Sequence, residues 1–359
     1  MVNVYYEKDG DLSILKNKII AIIGYGNQGR AQALNLRDSG LNVIIGNRLD
    51  SFKQIAINDG FTTFSIEDAV KKSDITFLLI PDEIIKESFE TQIKPNLKTQ
   101  SALIFASGYN IGFNLIKRPK DVDLLLLAPR MIGVGVRENY LNNKGFFSFI
   151  AIEKDSSGNA KEILLALAKA IGTLNKGAIE LTFKQETELD LFNEQGFGPA
   201  FGRVLLTAIY TLIDAGYPPE AVLVEMYMSY EMSYIYKKMA DVGLVKQVDF
   251  HSQISQYGAM SRGIKFRKLH IKPVMESILK NIQNGEFTKE WEKRITKLKF
   301  KMIRFFATKQ KINKLEKLVR KNLNLKRYDI YKDEPPTKEE IEKLKEIKHE
   351  IELFEHYYE

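Results

Sequence analysis

The spacing of apolar residues changes character once along this chain. From residue 18 to about 182, short runs rich in Ile, Leu, Val and Phe alternate with amphipathic stretches, and the runs fall at 18–24, 42–46, 75–80, 102–106, 124–128, 147–152 and 178–181. Most are apolar at nearly every position. That is the pattern of strands covered on both faces, so the segment predicts an α/β unit, a parallel sheet with crossover helices. Beyond Phe183 the strand signal stops and helical periodicity takes over, interrupted at Gly216-Tyr217-Pro218-Pro219. An all-helical second domain is expected there. A further break at Asp333-Glu334-Pro335-Pro336 precedes Thr337-Lys338-Glu339-Glu340, a capping-box start, and a stripe of Ile341, Leu344, Ile347, Ile351 and Phe354. The expected organisation is therefore 1–182 α/β, 183–328 all-α, and 329–359 a charged helical extension.

Composition narrows the chemistry. No cysteine is present, which excludes disulfides, thiolate nucleophiles and Cys-ligated metals. The four histidines, His251, His270, His349 and His356, all follow residue 250, so acid–base work in the first domain falls to carboxylates, Lys, Tyr or water. The net charge of +7 is local: residues 293–327 carry 14 Lys/Arg and one acid, Glu316, while the remainder holds 39 basic against 45 acidic residues. Apolar Ile303, Phe305, Phe306, Ile312, Leu315 and Leu318 run through that segment, which reads as a packed helix with a solvated basic face rather than a nucleic-acid surface. No run approaches the roughly 20 apolar residues of a membrane span. The opening MVNVYYEKDGDL lacks the basic start and apolar run of a signal peptide, so a cytoplasmic protein without a membrane partner is expected.

The run at 18–23 leads directly into Gly24-Tyr25-Gly26-Asn27-Gln28-Gly29, and a helical pattern follows from Arg30. A lone G-x-G-x-x-G is weak. Between a buried strand and a helix it predicts a dinucleotide site: Gly24 for the tight turn, Gly26 for approach of a pyrophosphate, Gly29 for helix–strand packing, and the helix N-terminus for oriented N–H donors. The second strand ends in Gly46-Asn47-Arg48-Leu49-Asp50-Ser51. Arg48 and Ser51 suit a 2′-phosphate, whereas Asp50 suits ribose hydroxyls or simply caps the next helix. NADPH and NADH both stay open.

Several separated motifs resemble the short-form (class I) ketol-acid reductoisomerases of branched-chain amino-acid biosynthesis. They are Val4-Tyr5-Tyr6 with Asp11-Leu12, the stretch from Ile22 to Gly40, Leu79-Ile80-Pro81-Asp82-Glu83, Phe105-Ala106 with Gly108-Tyr109-Asn110-Ile111, Glu186-Thr187 with Asp190-Leu191-Phe192 and Glu194-Gln195, Ala215-Gly216-Tyr217, and Tyr257-Gly258. The resemblance covers about residues 3–328. It implies a Rossmann domain followed by a knotted helical domain, and a homodimer or larger homo-oligomer whose sites are completed across subunits. It also implies two Mg²⁺ ions, and an NADPH-dependent reaction in which an alkyl shift in a 2-aceto-2-hydroxy acid precedes reduction of the resulting 2-keto acid. Pro81, Asp82 and Gly108 then join the cofactor set.

Asp190 and Glu194, four apart, share one face of a helix and offer oxygen donors of the kind Mg²⁺ takes. The resemblance makes them the first metal pair. The second pair departs from the family: Glu225 aligns when counted from Gly216-Tyr217, Glu231 when counted from Tyr257-Gly258, and two extra residues lie between. Six positions apart is roughly 240° on a regular helix, so a bulge is needed for Glu225 and Glu231 to face one ion. Ser107 stands where the family has histidine, and Arg130-Met131-Ile132-Gly133-Val134 replaces its Lys-Gly-Pro-Gly-His run. The substrate-binding serine segment appears as Phe250-His251-Ser252-Gln253, with His251 and Ser252 as substrate contacts. Asp190, Glu194, Ser107 and Arg130 are thus the expected catalytic positions. These departures predict an NAD(P)H-dependent oxidoreductase whose reduction step outlives its isomerisation. A diverged paralogue acting on another carbonyl, or a non-catalytic dinucleotide-binding or assembly protein, are the other readings.

Overall fold

The computed structural model describes residues 2–325. The capping box predicted at Thr337 and the stripe beginning at Ile341 lie outside the described residues. The chain divides into two compact units, Met1–Asp190 and Leu191–Glu359.

The first unit is built on a nine-stranded sheet. In chain order the strands are β1 (Val4–Tyr5), β2 (Ile19–Ile23), β3 (Asn42–Gly46), β4 (Thr63–Phe64), β5 (Ile75–Leu78), β6 (Ala102–Phe105), β7 (Asp123–Pro129), β8 (Phe147–Lys154) and β9 (Gly177–Glu180); in space they run β1-β9-β8-β7-β6-β5-β2-β3-β4. The continuous apolar runs are explained by cover on both faces. Ile20, Ile22, Ile75, Phe77, Ile104, Leu125 and Leu127 pack on one side with Ala31, Ala33 and Leu36 of the helix Asn27–Asp38 and with the helix Ala160–Ala170. Ala21, Ile23, Leu78, Leu103, Phe105, Leu124 and Leu126 pack on the other with Val70, Ile85 and Phe89. Each large side chain so buried contributes roughly 1.5–3 kcal/mol relative to exposure.

The sheet is mixed rather than wholly parallel. β7 and β8 pair antiparallel, with Leu126 opposite Ala151, and β1 joins β9 antiparallel at the edge, while β2 to β7 run parallel to their neighbours on that side. Apolar periodicity reports which faces are covered and carries no information on strand direction, so the reversal at β8 left no trace in the pattern. β4 and β1 span two residues each and are too short to make a run.

Strand β2 lies between β5 and β3, so the chain leaves it to opposite sides and a crevice opens beyond its carboxyl end. Gly24 N–H donates to Gly46 O (3.0 Å) and Leu79 N–H to Ile23 O (2.8 Å), which fastens the turns after β2, β3 and β5 side by side.

The second unit is helical throughout its described part. Its buried apolar cluster is small, Ile209, Val222, Leu223, Ile312 and Val319. The basic segment forms the helices Arg294–Lys309 and Lys311–Asn322, in which Met302, Ile312 and Val319 are buried. One helical stretch among the described residues, Phe183–Asp214, is long and apolar enough to cross a membrane by length and composition. The sequence pattern had indicated no such stretch. It carries Glu186, Asp190, Glu194 and Arg203, groups that are costly in a hydrocarbon core, and a π-helical turn at Asn193–Phe197 interrupts it.

Candidate active site

The glycine turn is shaped by space. Gly24 has φ +95°, a conformation that favours glycine, and a Cβ there would lie 2.6 Å from Leu79 O. A Cβ on Gly29 would stand 2.0 Å from Gly24 O. Gly26 is the opposite case, with nothing within 4 Å of its would-be Cβ. It is the N-cap of the helix Asn27–Asp38, and no side chain caps that end. The turn is therefore closed on the protein side by Gly24 and Gly29 and open on the other at Gly26, with uncapped N–H groups facing the opening.

Other residues hold the turn. Asn47 Oδ1 accepts from Tyr25 N–H (3.3 Å), and the Tyr25 ring is buried edge-on to Phe61. Tyr25 Oη donates to Asp59 (2.9 Å), which also takes Arg30 Nε (2.7 Å), so the Tyr25 side chain is committed to the fold. Gln28 Nε2 donates to Met131 O (2.8 Å), and a Cβ on Gly133 would meet Asn27 O at 2.2 Å. The segment after β7 thus packs on the turn and presents exposed Met131, Ile132 and Val134 beside it.

Asp50 caps the helix Ser51–Asn58. Its Oδ1 accepts from Phe52 N–H (3.0 Å), Lys53 N–H (3.2 Å) and Asn47 Nδ2 (2.8 Å), and its Oδ2 takes Arg48 Nε (2.8 Å). Partial burial opposes its ionisation, but the hydrogen bonds from Arg48, Lys53 and Phe52 outweigh it and hold the carboxyl below the usual range. Of the two open readings of Asp50, the cap is what the geometry contains. Arg48 and Ser51 are exposed, and so is Leu49 between them and the cap, at 91%.

A cluster of carboxylates gathers at the ends of β5, β6 and β7. Glu186, 1% exposed, accepts Gly108 N–H at Oε2 (2.7 Å) and Arg130 Nη1 at Oε1 (3.0 Å). Arg130 Nη2 also bonds Asp190, and the guanidinium lies 5.1 Å from the centre of the Phe149 ring. Asp82 accepts Asn110 Nδ2 at its Oδ1 (3.2 Å) and lies near the Ser107 hydroxyl, whose Oγ accepts Tyr109 N–H (3.3 Å). Burial pushes Glu186 up to about 7 against the Gly108 and Arg130 bonds, with Asp190 and Asp82 adding to the rise. Burial likewise pushes Asp82 up to about 6, against Ser107 and Asn110. Among the expected positions, Ser107, Gly108, Asp82, Arg130 and Asp190 are brought together. Glu186, Asn110 and Asn47 complete the arrangement without having been singled out, although Glu186 and Asn110 stand inside the quoted motifs.

In the second unit Glu194 is exposed and lies in the π-helical turn Asn193–Phe197. Glu225 and Glu231 are exposed as well. Between them the helix is irregular: Val224–Met228 is π-helical, and Tyr230 is left-handed with φ +64° before the helix Glu231–Val242 begins. The irregularity thus falls between Glu225 and Glu231, where the sequence counts differ by two residues. No group of three or more His, Asp or Glu side chains is placed to hold a metal ion among the described residues. Ser252 caps the helix Gln253–Gly263, accepting Ser255 N–H (3.3 Å), and half-buried His251 accepts Gln256 Nε2 at its carbonyl (2.8 Å).

Residues 14–177 match the model of the acetohydroxy acid isomeroreductase NADPH-binding domain, and residues 183–324 that of the ketol-acid reductoisomerase C-terminal domain. The chain is 45% identical over 293 residues to a ketol-acid reductoisomerase (NADP(+)) of Petrotoga mobilis, covering 81% of this chain and 88% of that one. It is similar in structure to an NADH-preferring ketol-acid reductoisomerase from an uncultured archaeon, with TM-score 0.84 and 34% identity over 89% of this chain and 98% of that one. A semialdehyde dehydrogenase NAD-binding protein from Cupriavidus necator shares the fold alone, with TM-score 0.58 and 19% identity over 75% of this chain and 99% of that one.

Proposed function

The chain belongs to the ketol-acid reductoisomerase family, and we propose that it reduces the carbonyl of a 2-keto acid with NAD(P)H, alkyl migration of a 2-aceto-2-hydroxy acid being its weaker step. It is an oxidoreductase of the reductoisomerase type. The observation that carries the reading is the glycine turn, open only at Gly26 and bordered within the same unit by the Ser107–Asp82 and Arg130–Glu186 groups.

The turn fits a dinucleotide. Gly26 leaves the room a pyrophosphate needs, and the uncapped helix end offers N–H donors from Asn27 to Gly29. Pro81, Asp82 and Gly108, at the ends of the neighbouring strands, border the nicotinamide end, and Arg48, Asp50 and Ser51 border the ribose. Bound NAD(P)H supplies a hydride to the substrate carbonyl carbon. The carbonyl oxygen then needs a proton, and Ser107 Oγ donates it while Asp82 replaces the proton on Ser107; a carboxyl near 6 exchanges protons readily at neutral pH. The guanidinium of Arg130 orients the substrate carboxylate. Exposed Met131, Ile132 and Val134 favour an apolar substituent on the substrate.

Asp190 and Glu194 are oxygen donors suited to Mg²⁺, but Asp190 already bonds Arg130, and Glu225 and Glu231 flank an irregular turn. With Asp190 already committed to Arg130, reduction is assigned without the family's two-ion centre. Large apolar side chains exposed on the helical unit, among them Tyr230 (76%) and Ile254 (86%), support a second copy of this chain as its partner.

Steady-state oxidation of NAD(P)H against a panel of 2-keto acids tests the reading. Turnover that falls at least about tenfold in Ser107→Ala, roughly 1.4 kcal/mol of transition-state stabilisation, is expected. Cofactor binding with no carbonyl-dependent oxidation would assign the chain to non-catalytic dinucleotide binding.

A further inference from the structure

Three carboxylates of the first unit, Asp82, Glu186 and Asp190, lie near one another, and the Arg130 guanidinium bonds two of them, Glu186 and Asp190. Arg130 is fixed from several directions. Its backbone N–H donates to Phe147 O (2.8 Å), its guanidinium lies against the Phe149 ring, Nη1 bonds Glu186 and Nη2 bonds Asp190. A planar fork held over an aromatic face binds two carboxylates at once, which a lysine ammonium in the same place cannot do with fixed geometry. Asp190 is also the residue proposed as an oxygen ligand for a divalent ion, and the same oxygen cannot face both cations at full strength.

We propose that Arg130 is the resident cation of this cluster, its guanidinium tying Asp190 to Glu186 and taking the place of one divalent ion at Asp190. The inference rests on Asp190 being a ligand. A divalent ion must break the Arg130–Asp190 bond and then lie beside a positive charge that Phe149 and Glu186 keep from swinging away. The family's lysine is replaced here by arginine at the position where this matters. The wild-type chain should therefore bind divalent ions weakly, and loosening Arg130 should tighten binding.

The test is Mn²⁺ binding to the full-length protein, followed by calorimetry and by the electron paramagnetic resonance signal of free Mn²⁺. Wild type is compared with Arg130→Lys, Arg130→Gln and Asp190→Asn. Arg130→Gln removes the charge and keeps a donor, and Arg130→Lys keeps the charge in case the neutral variant fails to fold. At least tenfold tighter Mn²⁺ binding in Arg130→Gln, a smaller gain in Arg130→Lys, and loss of that gain when Asp190→Asn is added are expected. Affinity unchanged or weakened in both Arg130 variants, with Asp190→Asn still abolishing binding, overturns the inference and leaves Asp190 a ligand. Binding indifferent to Asp190→Asn, or absent from every variant, overturns both the inference and the ligand assignment.

Discussion

The two units of this chain differ in how far their own residues complete them. In the first, both faces of the sheet are buried and the glycine turn leaves no spare room at Gly24 or Gly29. In the second, among the described residues, one small apolar cluster is buried while Tyr230, Ile254, Tyr257, Phe266 and Leu244 are exposed, and a Cβ on Gly202 or Gly258 would meet nothing within 4 Å. The difference teaches where a single chain's sequence is sufficient. The first unit is specified by its own contacts, whereas the described part of the second leaves apolar surface that its own described residues do not cover.

The largest expected effect separates the units at glycines. Gly29→Val drives a side chain into Gly24 O and should cost the first unit more than about 3 kcal/mol, beyond ordinary overpacking; Gly202→Ala, in open helix, should change stability by at most about 1 kcal/mol. Chemical denaturation of both variants reads this directly, and equal losses break the comparison. Gly26→Val is the sharper companion, since it should leave stability near wild type and remove NAD(P)H affinity.

Dilution comes next. If a second copy completes the helical unit, each tenfold dilution at concentrations well above the dissociation constant removes about 1.4 kcal/mol of its apparent stability. The melting of the first unit should not move. Differential scanning calorimetry at several concentrations distinguishes the two, and concentration-independent melting of the helical unit contradicts the completion argument.

Asp50→Ala tests the ribose end. Losing the cap should cost about 1 kcal/mol, and releasing Arg48 should shift preference toward NADPH by about tenfold, roughly 1.4 kcal/mol. Wild type should favour NADH or discriminate weakly. A wild-type NADPH preference above about a hundredfold, roughly 2.7 kcal/mol, shows that Asp50 does not restrain Arg48.

The remaining test is the pH dependence of the first unit. Glu186 rises from 4.5 to about 7 on folding, so the folded state holds the extra proton between those values and stability falls as pH climbs through that window. Asp82, raised to about 6, adds to the fall at its lower end. Glu186→Gln should flatten the slope of melting temperature against pH, and an unchanged slope removes Glu186 from the account.

Legibility in the sequence followed the same division. Continuous apolar runs located seven strands because their cover comes from the same unit, and the glycine spacing located the turn because its constraints are local. The reversal of β8 depends on which edge of the sheet is free, so no periodicity carries it. Glu186 lay in plain view in a motif, yet its partner Arg130 is 56 residues away, and only the fold brings a buried carboxylate to a cation. Glu225 and Glu231 were countable from either side, but the π-turn and the left-handed Tyr230 between them are conformational and have no composition of their own.

The most direct measurement is the ratio of two turnovers with Mg²⁺ and NAD(P)H present, one with 2-acetolactate and one with its rearranged product 3-hydroxy-3-methyl-2-ketobutyrate. On the proposed reading, reduction needs a nicotinamide, a proton donor and an oriented carbonyl, which it assigns to residues of the first unit; alkyl migration needs a second metal pair, for which it has only Glu225 and Glu231 on either side of an irregular turn. The rearranged keto acid should turn over at least about tenfold faster, roughly 1.4 kcal/mol. Equal turnover of 2-acetolactate, abolished by Glu225→Gln or by Glu231→Gln, would contradict this and show that the bulge rebuilds a working second metal pair.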